Sequence, residues 1–171
     1  MVICSVRGRL FAFGGAAVMA SALSCPVAGI AAVWTPAIIE HGVTVDGAVA
    51  TNRHLPQSQF DYLLKEASRG DAQWLRALAS LYPGTDGARA EGMEMALSDA
   101  LQTNPEEVLS LLTTYSDLPQ PDRLCENREI EPTASNVRRY YDRALQAVEA
   151  VDDPMLRSVK ARCLAQLRRR R

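Results

Sequence analysis

From Leu10 to Ile39 the chain carries no charged side chain, and this uncharged stretch, preceded by Arg7 and Arg9, makes the first thirty-odd residues read as an address and not as part of the fold. Small residues (Ala, Gly, Ser) crowd its second half. A basic start, an apolar run and small residues towards the end are what a secretory signal peptide needs. Residues 1–32 therefore read as an export signal, with the working protein expected in the periplasm.

Three endings compete. Ala20-Ser21-Ala22 is an A-x-A cleavage site, and a later cut after Ala31 or Ala32 would begin the mature chain near Val33-Trp34. Leu23-Ser24-Cys25 resembles a lipoprotein box that would lipidate Cys25, although Ala22 stands where a larger aliphatic residue is usual. An uncleaved anchor is the rival to all three. A spanning helix needs about 20 mainly apolar residues, and Leu10 to Trp34 is long enough, but Gly14, Gly15, Pro26 and Gly29 dilute it. Beyond Glu40 charges recur too often for a span.

Without the signal, roughly 140 of the 171 residues remain, one domain's worth. A chain of that size buries well over half its unfolded surface and folds without a metal or a dense disulfide network. The formal net charge is −1, and losing Arg7 and Arg9 makes it more negative. Nucleic acid is not an expected partner, since its binders show a basic balance. Of the four cysteines, Cys4 and Cys25 lie in or beside the signal. Cys125 and Cys163 are left to form one disulfide in an oxidising compartment. Closing that loop stabilises by about 3–4 kcal/mol in the chain-entropy treatment. In a cytosolic protein the same pair would be free buried thiols. No C-x-x-C spacing marks a redox-active pair.

Along the mature chain, Pro36, Gly42, Gly47 and Pro56 interrupt residues 33–57, which read as an irregular arm with at most a short strand over Val43–Val49. Helical spacing then dominates. Ser58 and Asp61 read as a capping box opening a helix with Phe60, Leu63, Leu64 and Ala67, stopped by Gly70. Asp71 caps a second, with Trp74, Leu75, Leu78, Leu81 and Tyr82, ended by Pro83-Gly84. Thr85 or Asp86 starts a third, with Ala90, Met93, Leu97, Ala100 and Leu101. Asn104-Pro105-Glu106-Glu107 combines cap, N1 proline and first-turn acids for a fourth, with Val108, Leu111, Leu112 and Tyr115. A proline-rich connection runs from Asp117 to Pro132. Thr133 or Ser135 caps a fifth helix with Val137, Tyr140, Tyr141, Ala144, Leu145 and Val148. Asp153-Pro154 begins a sixth, with Leu156, Val159, Cys163 and Leu167 inward. The expected fold is all-α: a compact bundle of about six short amphipathic helices over residues 58–171. A disulfide to Cys163 would staple the connection bearing Cys125 onto the last helix.

Few constellations suggest chemistry. In Tyr82-Pro83-Gly84-Thr85-Asp86-Gly87, glycines permit close backbone approach and a following helix offers free N–H groups. A tight turn with a cap accounts for the same residues. Glu91 and Glu94, with Glu126, Glu129 and Glu131, could supply paired acids for glycosidic chemistry, or be solvated carboxylates. His41 and His54 lack partners at metal-ligand spacing, and no nucleophile elbow, zinc-protease helix or phosphate loop is present. No cofactor or metal is expected. Trp74, Tyr82, Tyr140 and Tyr141 fit either a core or a partner surface. Arg168, Arg169, Arg170 and Arg171, after Arg157, Lys160 and Arg162, suit anionic lipid or an acidic partner, or simply offset a helix dipole.

The function these features favour is non-catalytic binding of another macromolecule, with a protein the expected partner. A signal peptide followed by a small disulfide-linked helical domain is similar in general design to periplasmic immunity proteins that neutralise cell-wall toxins. The likeness rests on size, compartment and helix content. The alternatives are an envelope protein held by lipid or membrane, and a cell-wall hydrolase using the acids above.

Overall fold

The computed structural model describes residues 34–170. The cleavage sites, Cys25 and Arg171 lie outside them. The described chain is all-α: α1 (Pro36–Asp46), α2 (Ala48–His54), α3 (Gln57–Ser68), α4 (Ala72–Leu81), α5 (Gly87–Ala100), α6 (Pro105–Thr114), α7 (Pro121–Leu124), α8 (Ala134–Ala150) and α9 (Arg157–Arg170). Short 3-10 turns at Tyr82–Gly84 and Pro154–Leu156 precede α5 and α9. No helix among the described residues is long and apolar enough to cross a membrane.

The six expected helices are α3, α4, α5, α6, α8 and α9. Their caps form largely as the sequence suggests. Asp71 accepts the N–H groups of Gln73 and Trp74 at 2.9 and 3.2 Å. Asn104 accepts from Glu107, and Thr133 from Asn136. The Ser58/Asp61 capping box does not form. Its helix begins two residues earlier at Gln57, behind Pro56 with no side-chain cap, and Gln57 itself bonds Asp61 at 2.8 Å. Asp86 likewise makes no side-chain cap.

The irregular arm is overturned: residues 36–54 are α1 and α2, and Val43–Val49 is helical apart from Gly47. Thr35 accepts from the Ile38 N–H at 3.3 Å, and Pro36 sits in the first turn, where a missing N–H costs nothing. Gly47, at φ 84°, takes the left-handed conformation that turns α1 into α2. Ile39 and Leu55 supply the apolar anchors, at 0% and 2% exposure, each worth about 1.5–3 kcal/mol when buried. Through Ile39, α1 joins the common core, and it packs mainly on α4.

The core runs through Phe60, Leu63, Leu75, Leu78, Met93, Leu97, Leu101, Val108, Leu124, Val148 and Leu167. Helix α3 packs on both α4 and α5, and α9 packs on α7 and α8. Gly70 shows a glycine doing two jobs. It adopts φ +87°, and a Cβ there would lie 2.5 Å from the Thr103 hydroxyl. The Asn104 amide also donates to the Gly70 carbonyl at 2.8 Å, so one side chain caps α6 and ties the α3–α4 turn.

Candidate functional site

The connection from Tyr115 to Thr133 crosses α5, α8 and α9, and Glu94, Ser98 and Gln166, three of the five buried polar side chains among the described residues, gather beneath it. Cys125 and Cys163 form the expected disulfide, with Cα atoms 5.3 Å apart and both residues at 0% exposure. Beside it, the Glu94 side chain is 4% exposed and meets Arg123 at 3.4 Å and Arg128 at 2.5 Å. The Tyr82 hydroxyl donates to the same carboxylate at 2.8 Å. Arg128 reaches on towards Glu126 at 3.7 Å, and Glu126 also accepts from Gln166 and pairs with Arg170, both at 3.2 Å. Ser98 donates to the Glu126 carbonyl at 2.6 Å and shares a hydrogen bond with the Tyr140 hydroxyl at 2.8 Å.

A buried charge is tolerated only when it is paired and hydrogen-bonded, and Glu94 meets that condition through three groups. The network shifts the tyrosines. Burial, then the hydrogen bond to Glu94 and its charge, push the Tyr82 hydroxyl up from 10.0 to about 12, against the opposing pull of Arg123 and Arg128. Tyr140 is pushed up as well, chiefly by burial and only partly offset by its bond to Ser98. Among the described residues, no buried side-chain nitrogen or oxygen lacks a partner, and no cluster of three metal-ligating side chains forms.

The acids weighed for hydrolysis do not converge as a free pair. Glu94 is held by arginines, Glu126 is bound on several sides, Glu129 accepts from Asn136 at 3.2 Å, and Glu91 stands exposed on α5. His41 and His54 are both exposed. Tyr140 and Tyr141 are buried, and Trp74 packs against the core and edge-on to Tyr62.

The turn through Tyr82, Pro83, Gly84, Thr85 and Asp86 faces its own chain. A Cβ on Gly84 would lie 2.4 Å from the Ala48 carbonyl carbon, so α2 occupies the approach that the glycine opens. The Asn52 amide donates to the Gly84 carbonyl at 2.9 Å. Arg89 then reaches from α5 to the Asn52 and Leu55 carbonyls at 2.8 and 3.2 Å, with its guanidinium 4.5 Å over Phe60. A cation on the last carbonyls of α2 satisfies groups that the helix leaves unpaired. Sequence reasoning missed Asn52 and Arg89 because their partners lie more than thirty positions away.

Of the C-terminal arginines, Arg168 pairs with Glu149 at 2.8 Å, Arg170 with Glu126, and Arg169 bonds Gln166. The tail is thus engaged with the bundle. Exposed cations also lie on α8, where Ser135, Arg138, Arg139 and Arg143, with Asp142 among them, line an open groove of about 430 Å³. Arg139 bonds Asn136 at 2.6 Å, whereas Arg138 and Arg143 form no ion pair with an acid among the described residues. Periodicity identified the buried side of α8, but the pairing of its outward charges depended on the tertiary fold. No family model, no curated protein and no solved structure matches this chain.

Proposed function

We propose that the protein is exported to the periplasm and works by binding another macromolecule, without catalysis of its own. The observation that carries the binding reading is the separation of charge along the chain. Residues 34–117 hold five basic and twelve acidic side chains, and residues 118–171 hold twelve basic and eight acidic ones. The two parts of the chain thus carry −7 and +4, and charge asymmetry of this kind steers encounter and orients a partner. The signal-like first 32 residues and the disulfide support the compartment. The strongest carboxylate candidate for chemistry, Glu94, is committed to holding Tyr82, Arg123 and Arg128 together.

The test is crosslinking of the tagged full-length chain in cells, followed by mass spectrometry of what the exported form holds. One protein recovered in near-equal amount is the expected result, and an enzyme acting on the cell wall would identify the immunity-type version. Recovery of no protein at good expression and crosslinking yield would sink the reading.

A further inference from the structure

Resting on that binding reading, we propose that the outer face of α8, centred on Arg138 and Arg143 and extended by Ser135 and Arg139, is the docking surface for a carboxylate-rich face of a protein partner. The face is exposed along its length while Tyr140, Tyr141, Ala144, Leu145 and Val148 anchor the opposite side of the same helix in the core. A guanidinium presented on a packed helix needs little reordering to bind. Its fork also matches a carboxylate in two parallel hydrogen bonds, which an ammonium does not. Arg139 and Arg143 are one helical turn apart, so their stems share a row. Arg138 and Arg143 form no ion pair among the described residues, whereas Arg162, Arg168 and Arg170 are already paired with Asp122, Glu149 and Glu126.

The chemistry favours an acidic protein over an anionic bilayer. Basic helices that lie on membranes carry large apolar side chains that enter the headgroup boundary. The exposed large apolar residues nearest in sequence, Ile130 and Met155, flank α8 and are not part of it.

The experiment uses the exported protein purified from cells expressing the full chain, with a fluorescent oligoglutamate peptide as probe. Parallel measurements use phosphatidylglycerol vesicles and sedimentation of the protein alone. Saturable, salt-sensitive binding of the peptide is expected, weakened about tenfold by Arg138→Glu with Arg143→Glu. Arg168→Gln with Arg169→Gln should change it less than about twofold. Unchanged helix content in the α8 variant confirms that the fold is retained. Equal weakening by both variants overturns the proposal, as does tighter binding to vesicles than to peptide. Concentration-dependent self-assembly lost in the α8 variant would make a second copy the occupant and also overturn it. In cells, a partner recovered equally by the wild type and the α8 variant removes this face while leaving the binding reading intact. Recovery of no partner by either removes the binding reading itself.

Discussion

Residues 36–55 and 116–133 are both punctuated by helix-breaking residues, and they are fixed to the same core by different means. The first segment carries Pro36, Gly42 and Gly47, yet it folds into two helices. Its attachments are apolar anchors at Ile39 and Leu55 and side chains that reach backbone carbonyls: Asn52 to Gly84, and Arg89 to Asn52 and Leu55. The second carries Pro119, Pro121 and Pro132 and is helical only over Pro121–Leu124. It is held by Cys125–Cys163 and by Arg123 and Arg128 on Glu94. A segment that can pair its own backbone groups needs only packing and a few clamps. One that cannot must be stapled through its side chains.

The largest effect should come from the staple. Cys125→Ser with Cys163→Ser removes a link across 38 positions and should cost about 4 kcal/mol in the chain-entropy treatment. That corresponds to a fall in Tm on the order of 10 °C, with helix content at room temperature retained. Thermal melts followed by circular dichroism check it, and an unchanged Tm would mean that the ionic contacts alone hold the connection.

The first segment has its own weak point at Gly84, where an added methyl would meet the α2 backbone at 2.4–2.5 Å. Gly84→Ala should destabilise by about 2–3 kcal/mol, because neither backbone is free to yield cheaply. Denaturant titration measures this, and a change within error would show that α1 and α2 ride loosely on the turn. Arg89→Met keeps the apolar stem but leaves carbonyls of α2 without their cation, at a cost of about 1–3 kcal/mol. Hydrogen exchange should accelerate in α2 first. Uniform acceleration across all helices would instead tie Arg89 to the whole core.

These contrasts show why the six amphipathic helices were legible and the arm was not. Apolar positions such as Leu75, Leu78 and Leu81, with a cap at Asp71, carry their information within one or two turns. In α1, Ile38 and Val45 are exposed beside the single fully buried Ile39, so no clean stripe marks its inner face. Gly42 reads as a breaker, yet it lies inside α1, where an added Cβ would come 3.1 Å from Thr51 of α2. The cysteine pairing was readable because only two cysteines lie beyond position 25. The Glu94 cluster was not, because a buried carboxylate and an exposed one look alike until Arg123, Arg128 and Tyr82 are brought to it.

The smallest predicted effect lies at the turn between the attachments of the two segments. Tyr82 bonds Glu94 beneath the second segment, and two residues later Gly84 receives Asn52 from the first. Its hydroxyl titrates at about 12 when folded, against 10.0 ordinarily. The unfolded chain therefore loses this proton first as pH rises. The associated stability is complete below pH 10 and declines between about 10 and 12. Tyr140 acts in the same direction. Tyr82→Phe should flatten part of this alkaline decline, as read from denaturation midpoints across that window. Identical slopes in the two proteins would remove Tyr82 from the account.

The sealed position of the Cys125–Cys163 bridge makes it a built-in clock. Both cysteines are wholly shielded, so a small thiol reductant can attack only during an opening that uncovers them. At high reductant the rate of thiol appearance becomes independent of reductant concentration and equals the opening rate itself. A timed thiol assay on the untouched protein would therefore report how often this part of the bundle breathes, in seconds or in days, without heat or denaturant.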